Sequence, residues 1–182
     1  MHITIIRHTT VNVPPGMIYG HTDVPLSALF NNEAEKIMTQ IKKCTFDVVY
    51  SSPLSRCMRL AQKISSKVIP DSRLMELNFG NWEGKYWNDI DQTPEATAWF
   101  ADFVNTPTPG GESYAQMIQR CKAFLKEIME SNFKDVCIVS HGGPMRAIKS
   151  IIENKTPQEA FDINVGYGEI LKLNTPPTLL MF

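Results

Sequence analysis

What this sequence lacks narrows it first. It has four cysteines in 182 residues, Cys44, Cys57, Cys121 and Cys137, with no CxxC pair among them. A chain this long and this poor in cysteine is not a disulfide scaffold, and its thiols are expected to be buried and reduced. No apolar run approaches the roughly 20 residues that span a bilayer, so no membrane partner is expected. The opening Met-His-Ile-Thr-Ile-Ile-Arg-His has neither the basic start nor the long apolar stretch of a signal peptide, which makes the cytoplasm the expected compartment. An excess of one charge is missing too. With a formal net charge of −1, no global field draws the chain to nucleic acid. HExxH and CxxC spacings are absent, and neither metal nor cofactor is expected. Repeats, low-complexity tracts and linkers are also lacking, which leaves one domain over 1–182.

What is present suits an α/β fold. The 43% hydrophobic and 20% charged content is that of a globular chain able to hide roughly 70% of its unfolded surface. Short β-rich apolar runs at 3–6, 46–50, 68–69, 135–140 and 169–173 read as strands. Helical spacing appears after Ser27, a candidate cap, with Phe30, Ala34, Ile37, Met38 and Ile41 on one face. It recurs from Leu54, over 114–129, and through Met145, Ile148, Ile151 and Ile152. Strands alternating with helices predict a three-layer α/β/α domain around a mainly parallel sheet. Between about 76 and 112 the periodicity weakens, and Trp82, Trp87, Trp99, Phe100 and Phe103 appear among acids and prolines. That stretch reads as a lid-like excursion of loops and short helices over the active site. The segment from Thr156-Pro157, with Ala160, Phe161 and Ile163, is compatible with packing on the domain or against a second subunit in a homodimer.

Ligands of open α/β sheets bind beyond the carboxyl ends of the strands. Two strands here end in histidine, at Arg7-His8 and at Ser140-His141-Gly142-Gly143. A third ends in Ser51-Ser52-Pro53, four residues before Arg56. A lone histidine at a strand end is commonplace, and His2 and His21 read that way. Two imidazoles and two guanidiniums at one sheet edge repel one another, which an anion would relieve. Phosphate suits them, because guanidinium forks match its oxygens and stay charged.

The blocks Arg7-His8, Ser52-Pro53-Leu54-Ser55-Arg56, Leu74-Met75-Glu76 with Gly80-Asn81-Trp82-Glu83-Gly84, Gly110-Gly111-Glu112-Ser113 and Ser140-His141-Gly142-Gly143 stand in one order. In that order the chain resembles the histidine phosphatase (phosphoglycerate mutase-like) superfamily, from residue 3 to about 148. The resemblance implies a metal-independent phosphomonoesterase with His8 as nucleophile, forming a phosphohistidine. Arg7, Arg56 and His141 would hold the phosphoryl oxygens, with backbone N–H groups of Gly142 and Gly143 as further donors. Glu76 would protonate the leaving alkoxide and then activate water. Glu83 is its rival for that role; otherwise it is a loop residue that positions an arginine.

Departures from the superfamily pattern are informative. Where many members read Arg-His-Gly-Glu-Thr, this chain has Arg7-His8-Thr9-Thr10-Val11, and Pro14 stands where an asparagine often completes the phosphate pocket. Asn12, Thr9 or Thr10 would substitute. Together with 13–20 and Asp23-Val24-Pro25-Leu26, the chain is similar to the α-ribazole phosphatase branch, which implies a phosphate monoester with a flat benzimidazole, met in cobalamin assembly. Tyr19, Phe79, Trp82 and Trp87 are candidates to face that ring, against the plainer reading that they form the excursion's own core. The alternatives are a phosphoglycerate mutase-like phosphotransferase, a broad-specificity or phosphohistidine phosphatase, and a non-catalytic phospholigand module, which the intact histidines, arginines and acid disfavour.

Overall fold

In the computed structural model, which describes residues 1–176, the elements run in chain order as β1 (His2–Arg7), α1 (Phe30–Ile41), β2 (Val48–Ser51), α2 (Ser55–Ile64), β3 (Val68–Pro70), α3 (Trp87–Ile90), α4 (Pro94–Ala101), α5 (Tyr114–Met129), β4 (Asp135–Ser140), α6 (Gly142–Glu153), α7 (Pro157–Phe161) and β5 (Ile170–Asn174). The sheet order is β3-β2-β4-β1-β5, with β5 antiparallel to β1 and the other pairs parallel.

Alternation along the central strands decides the layers. Ile6, Cys137 and Val139 turn to one face and pack with Phe30 and Ile37 of α1 and Cys57 and Leu60 of α2. Ile3, Ile5, Val136 and Ile138 turn to the other and pack with Met117 and Phe124 of α5 and Met145 and Ile148 of α6. Each such side chain, fully buried, contributes about 1.5–3 kcal/mol. The mainly parallel, three-layer α/β architecture is as expected from the periodicities.

Some boundaries differ from the sequence reading. Ser27 does not cap α1; Leu29 holds that position without a side-chain bond. The Ser27 hydroxyl instead accepts from Leu29 N–H, tightening the turn just before the helix. Strand β2 starts at Val48 because Asp47 ties off its end, its carboxylate accepting from the N–H groups of Lys134 and Asp135.

The excursion carries α3 and α4 and is packed from within. Trp82, Ile90, Ala96 and Trp99 are buried and continuous with the main core. Trp82 meets Trp99 edge-on at 5.8 Å. The segment after Thr156 packs on its own domain: Ala160 is fully buried, and the Phe161 ring lies 4.3 Å from that of Phe103.

Candidate active site

Strands β1 and β4 are neighbours in register, Arg7 opposite Ser140. The residues that follow each strand therefore emerge side by side. The His8 and His141 rings stand 5.1 Å apart, nearly edge to face, with 1% and 0% of their surface exposed. Burial, aided by the charges of Arg56 and Arg7, pulls the His8 pKa down to about 3 against an opposing backbone bond. The ring is thus neutral at neutral pH. Its Nδ1 lies 2.7 Å from the Thr9 carbonyl and donates to it, which leaves the Nε2 lone pair free. Burial also holds His141 well below the ordinary histidine range, reinforced by His8 and the arginines.

Arg56 comes from the first turn of α2 and is wholly buried. Its Nε donates to His141 Nδ1 at 3.3 Å, its Nη1 to Thr22 O at 2.9 Å and its Nη2 to Gly20 O at 2.7 Å. Because His141 Nδ1 is an acceptor, its Nε2 carries the proton and donates to Ser52 Oγ at 2.8 Å. A guanidinium has five N–H donors, so this one keeps spare donors while being held rigidly. Arg7 is fixed by Nη1 on Val165 O at 2.6 Å, and its buried Nε has no partner among the described residues.

Glu76 reaches the same place from the excursion. Its Oε1 accepts from Leu77 N–H at 2.9 Å and from Gly143 N–H, at the start of α6, at 3.1 Å. A side chain at Gly143 would collide with that oxygen and push the Glu76 carboxylate from its place. Arg120 pins the acid's backbone, donating to Glu76 O at 2.9 Å and to Arg73 O at 2.6 Å while paired with Glu112.

Glu83 is engaged differently. Its carboxylate accepts from His21 N–H, from the N–H and hydroxyl of Thr22, and from Phe79 N–H. Burial alone would raise its pKa, but these bonds outweigh burial and hold it below the ordinary value. The carboxylate thereby fixes the loop whose Thr22 carbonyl receives Arg56.

Arg7, His8, Tyr19, Glu76, Phe79 and Trp87 line one cavity of about 230 Å³, together with Met17, Ile18, Leu77, Tyr114, Met117, Gly143, Arg146 and Phe161. Of the expected residues, Arg56, His141, Thr9, Gly142 and Glu83 lie outside this lining, behind or beside the residues that form it, and Asn12 and Trp82 are turned away altogether. Asn12 is exposed, its N–H bound to Pro25 O beside the Val11–Leu26 bridge, which turns it outward. Trp82 is 4% exposed and belongs to the excursion's core, leaving Trp87 as the indole on the cavity wall. Thr9 orients His8 through its carbonyl, while its buried hydroxyl has no partner among the described residues. Gly142 opens α6 directly after His141.

Tyr167, not anticipated, sits in the turn before β5. Arg7 lies over its ring at 4.1 Å, and its hydroxyl bonds that of Tyr19 at 2.6 Å, so two aromatic rings close the outer side of the histidines. Its signal lay in topology: an antiparallel last strand beside β1 delivers its preceding loop to the end of β1. Arg146 had a sequence signal in its place one turn beyond Gly142-Gly143. Among the described residues no group of three or more His, Cys, Asp or Glu side chains could hold a metal ion. None of the described helices is long and apolar enough to cross a membrane.

Comparison with known proteins assigns the chain to a family and its fold to known structures. The family model described as "Histidine phosphatase superfamily (branch 1)" matches residues 3–178. The chain is 30% identical over 154 residues to phosphoserine phosphatase 1 of Hydrogenobacter thermophilus, covering 80% of this chain and 73% of that one. It is 27% identical over 196 residues to adenosylcobalamin/alpha-ribazole phosphatase of Escherichia coli, covering 96% of each. The solved alpha-ribazole phosphatase of Shigella flexneri superposes with a TM-score of 0.89 at 25% identity, over 96% of this chain and 90% of that one.

Proposed function

Since the chain belongs to the histidine phosphatase superfamily, we propose that it hydrolyses phosphate monoesters of small molecules through a phosphohistidine formed on His8. The observation that carries this reading is the state of His8. It is neutral and buried, its Nδ1 is committed to Thr9 O, and its Nε2 is free beside two guanidiniums.

In the first step His8 Nε2 attacks phosphorus and the ester P–O bond breaks. Arg7 and Arg56 hold the equatorial oxygens and the charge that gathers on them. The unpartnered Arg7 Nε and Thr9 hydroxyl are donors that such an oxyanion would satisfy. His141 contributes its Nε2–H, turned from Ser52 Oγ to a phosphoryl oxygen, and the N–H of Gly142 adds a donor. Glu76, as the acid, gives its proton to the leaving alkoxide. As carboxylate it then takes a proton from water, which attacks phosphorus and frees His8 and phosphate. Glu83 suits this role poorly, because hydrogen bonds to its charged form keep it ionised. With two fixed cations at the phosphoryl group, the reaction is independent of metal, and EDTA leaves the rate unchanged.

For substrate we propose α-ribazole 5′-phosphate, within cobalamin nucleotide-loop assembly. The support is the wall that faces the leaving group, where Tyr19, Phe79, Trp87 and Phe161 offer flat apolar surface to a benzimidazole. The single domain acts in the cytoplasm, a location supported by the four free cysteines. The test is phosphate release from α-ribazole 5′-phosphate, phosphoserine, 3-phosphoglycerate and nitrophenyl phosphate. A marked kcat/KM preference for the first is expected; equal rates across the panel would remove the narrow assignment and keep the phosphohistidine chemistry.

A further inference from the structure

The cavity holds more hydrogen-bonding capacity than phosphoryl transfer uses. Tyr114, the first residue of α5, is 2% exposed and lines the cavity, yet its hydroxyl has no hydrogen-bond partner among the described residues. A buried phenol without a partner is rare in folded proteins and calls for an explanation. Burial keeps this one protonated, against the opposing charge of Arg146, so it offers an O–H donor.

Arg146 supplies the second observation. It leaves α6 one turn after the glycines, and its Nε donates to Ile163 O at 2.9 Å. Its guanidinium stands 6.0 Å from the Phe161 ring centre, and no carboxylate among the described residues pairs with it. A side chain begun at Gly142 would meet Arg146 Nη1 at 3.2 Å and Arg7 Cζ at 3.6 Å. The two guanidiniums therefore flank the same glycine, with Arg7 at the phosphoryl group and Arg146 one step outward. Tyr114 and Arg146 line the same cavity as Glu76, the candidate proton donor to the leaving alcohol.

We infer that Tyr114 and Arg146 form a donor pair that reads acceptor oxygens on the leaving alcohol of the substrate, as sugar hydroxyls or as a carboxylate. This rests on the phosphatase reading above. The Arg146 guanidinium can only donate, and the Tyr114 hydroxyl, which also accepts, brings a second donor. An alcohol with no further acceptor oxygen leaves both N–H and O–H protons unused, and a site built this way discriminates against it. The pair thereby adds polar donors to a cavity whose lining is otherwise largely apolar and aromatic, next to the Phe161 ring.

The test compares wild type, Tyr114→Phe and Arg146→Met on ribose 5-phosphate, 3-phosphoglycerate and phenyl phosphate. Removing one hydroxyl in Tyr114→Phe is expected to cost about tenfold in kcat/KM on the acceptor-bearing ester the enzyme prefers and under about threefold on phenyl phosphate. Loss concentrated on ribose 5-phosphate identifies sugar hydroxyls as the partner; loss concentrated on 3-phosphoglycerate identifies a carboxylate. Inhibition by inorganic phosphate reports whether Arg7 is still seated in the Arg146→Met protein. Equal losses on all three esters, or none on any, would overturn the inference. If wild type releases phosphate from no ester, the phosphatase reading falls. Calorimetric binding of ribose 5-phosphate and 3-phosphoglycerate, wild type against Tyr114→Phe, then decides the subsite by itself, and equal affinities would sink it.

Discussion

The two sides of the cavity are built on different principles. On the sheet side, His8, His141 and Arg56 are buried and locked by backbone carbonyls or by each other. They follow directly from parallel strands in fixed register. The other side is carried by connections: Glu76, Phe79 and Trp87 from the excursion, Phe161 from α7 and Tyr167 from the turn before β5. Those residues sit on segments whose packing is aromatic and local. On the proposed mechanism, phosphoryl binding and nucleophilic attack belong to the sheet side, where geometry is hard to change, while the proton donor Glu76 and substrate choice belong to the connections, where it is easier.

The sharpest way to break the comparison is at its fixed end. His8→Ala is expected to lower kcat by about 10⁴-fold or more on every ester while leaving the circular dichroism spectrum native. Substantial turnover by purified variant would remove His8 as nucleophile. At the junction of the two sides, Glu76→Gln should cost about 10²- to 10³-fold on an alkyl phosphate but under about tenfold on a nitrophenyl ester, whose leaving group needs little protonation. Similar losses on both esters would reassign the acid. On the loop side, Trp87→Ala should raise KM for α-ribazole 5′-phosphate about tenfold and change ethyl phosphate by no more than about twofold. A uniform change would make the indole a packing residue only.

The smallest effect is on stability. Because burial pulls the His8 pKa down to about 3, the unfolded chain binds a proton below about pH 6.5 that the folded chain refuses. Stability from this group is complete above pH 6.5 and falls on acidification toward pH 3, by up to about 1.4 kcal/mol per pH unit. Urea unfolding of wild type and His8→Gln between pH 7 and pH 4.5 should show a shallower decline in the variant. Parallel declines would mean that His8 is not held neutral.

The sheet side was legible in the sequence because apolar runs that stop on Arg7-His8 and Ser140-His141 mark strand ends, and parallel pairing brings strand ends together. The loop side was legible only in part. Trp82 and Trp87 are five residues apart in a stretch without periodicity, and nothing local shows that Trp82 turns into the core while Trp87 faces the cavity. Tyr114 reads as one more member of the buried face of α5, and it is; its unpartnered hydroxyl appears only once Arg146 and Phe161 surround it. Asn12 looked like a phosphate ligand by proximity to His8, and a single bridge between Val11 and Leu26 turns it to solvent.

Strand β1 is flanked by β4 and β5, His2 facing Asp135 on one side and Asn174 on the other. Both neighbours come from the last third of the chain. During synthesis His8 is therefore made more than 120 residues before the strands that come to flank it. Neither strand partner of β1 nor the Val165 carbonyl that seats Arg7 exists until β4, Val165 and β5 have been made. Pairings of such long sequence separation slow folding. Assembly of the candidate site thus waits on distant segments: a nascent chain interrupted before β4 carries His8 with neither strand partner of β1 and no Val165 carbonyl to seat Arg7.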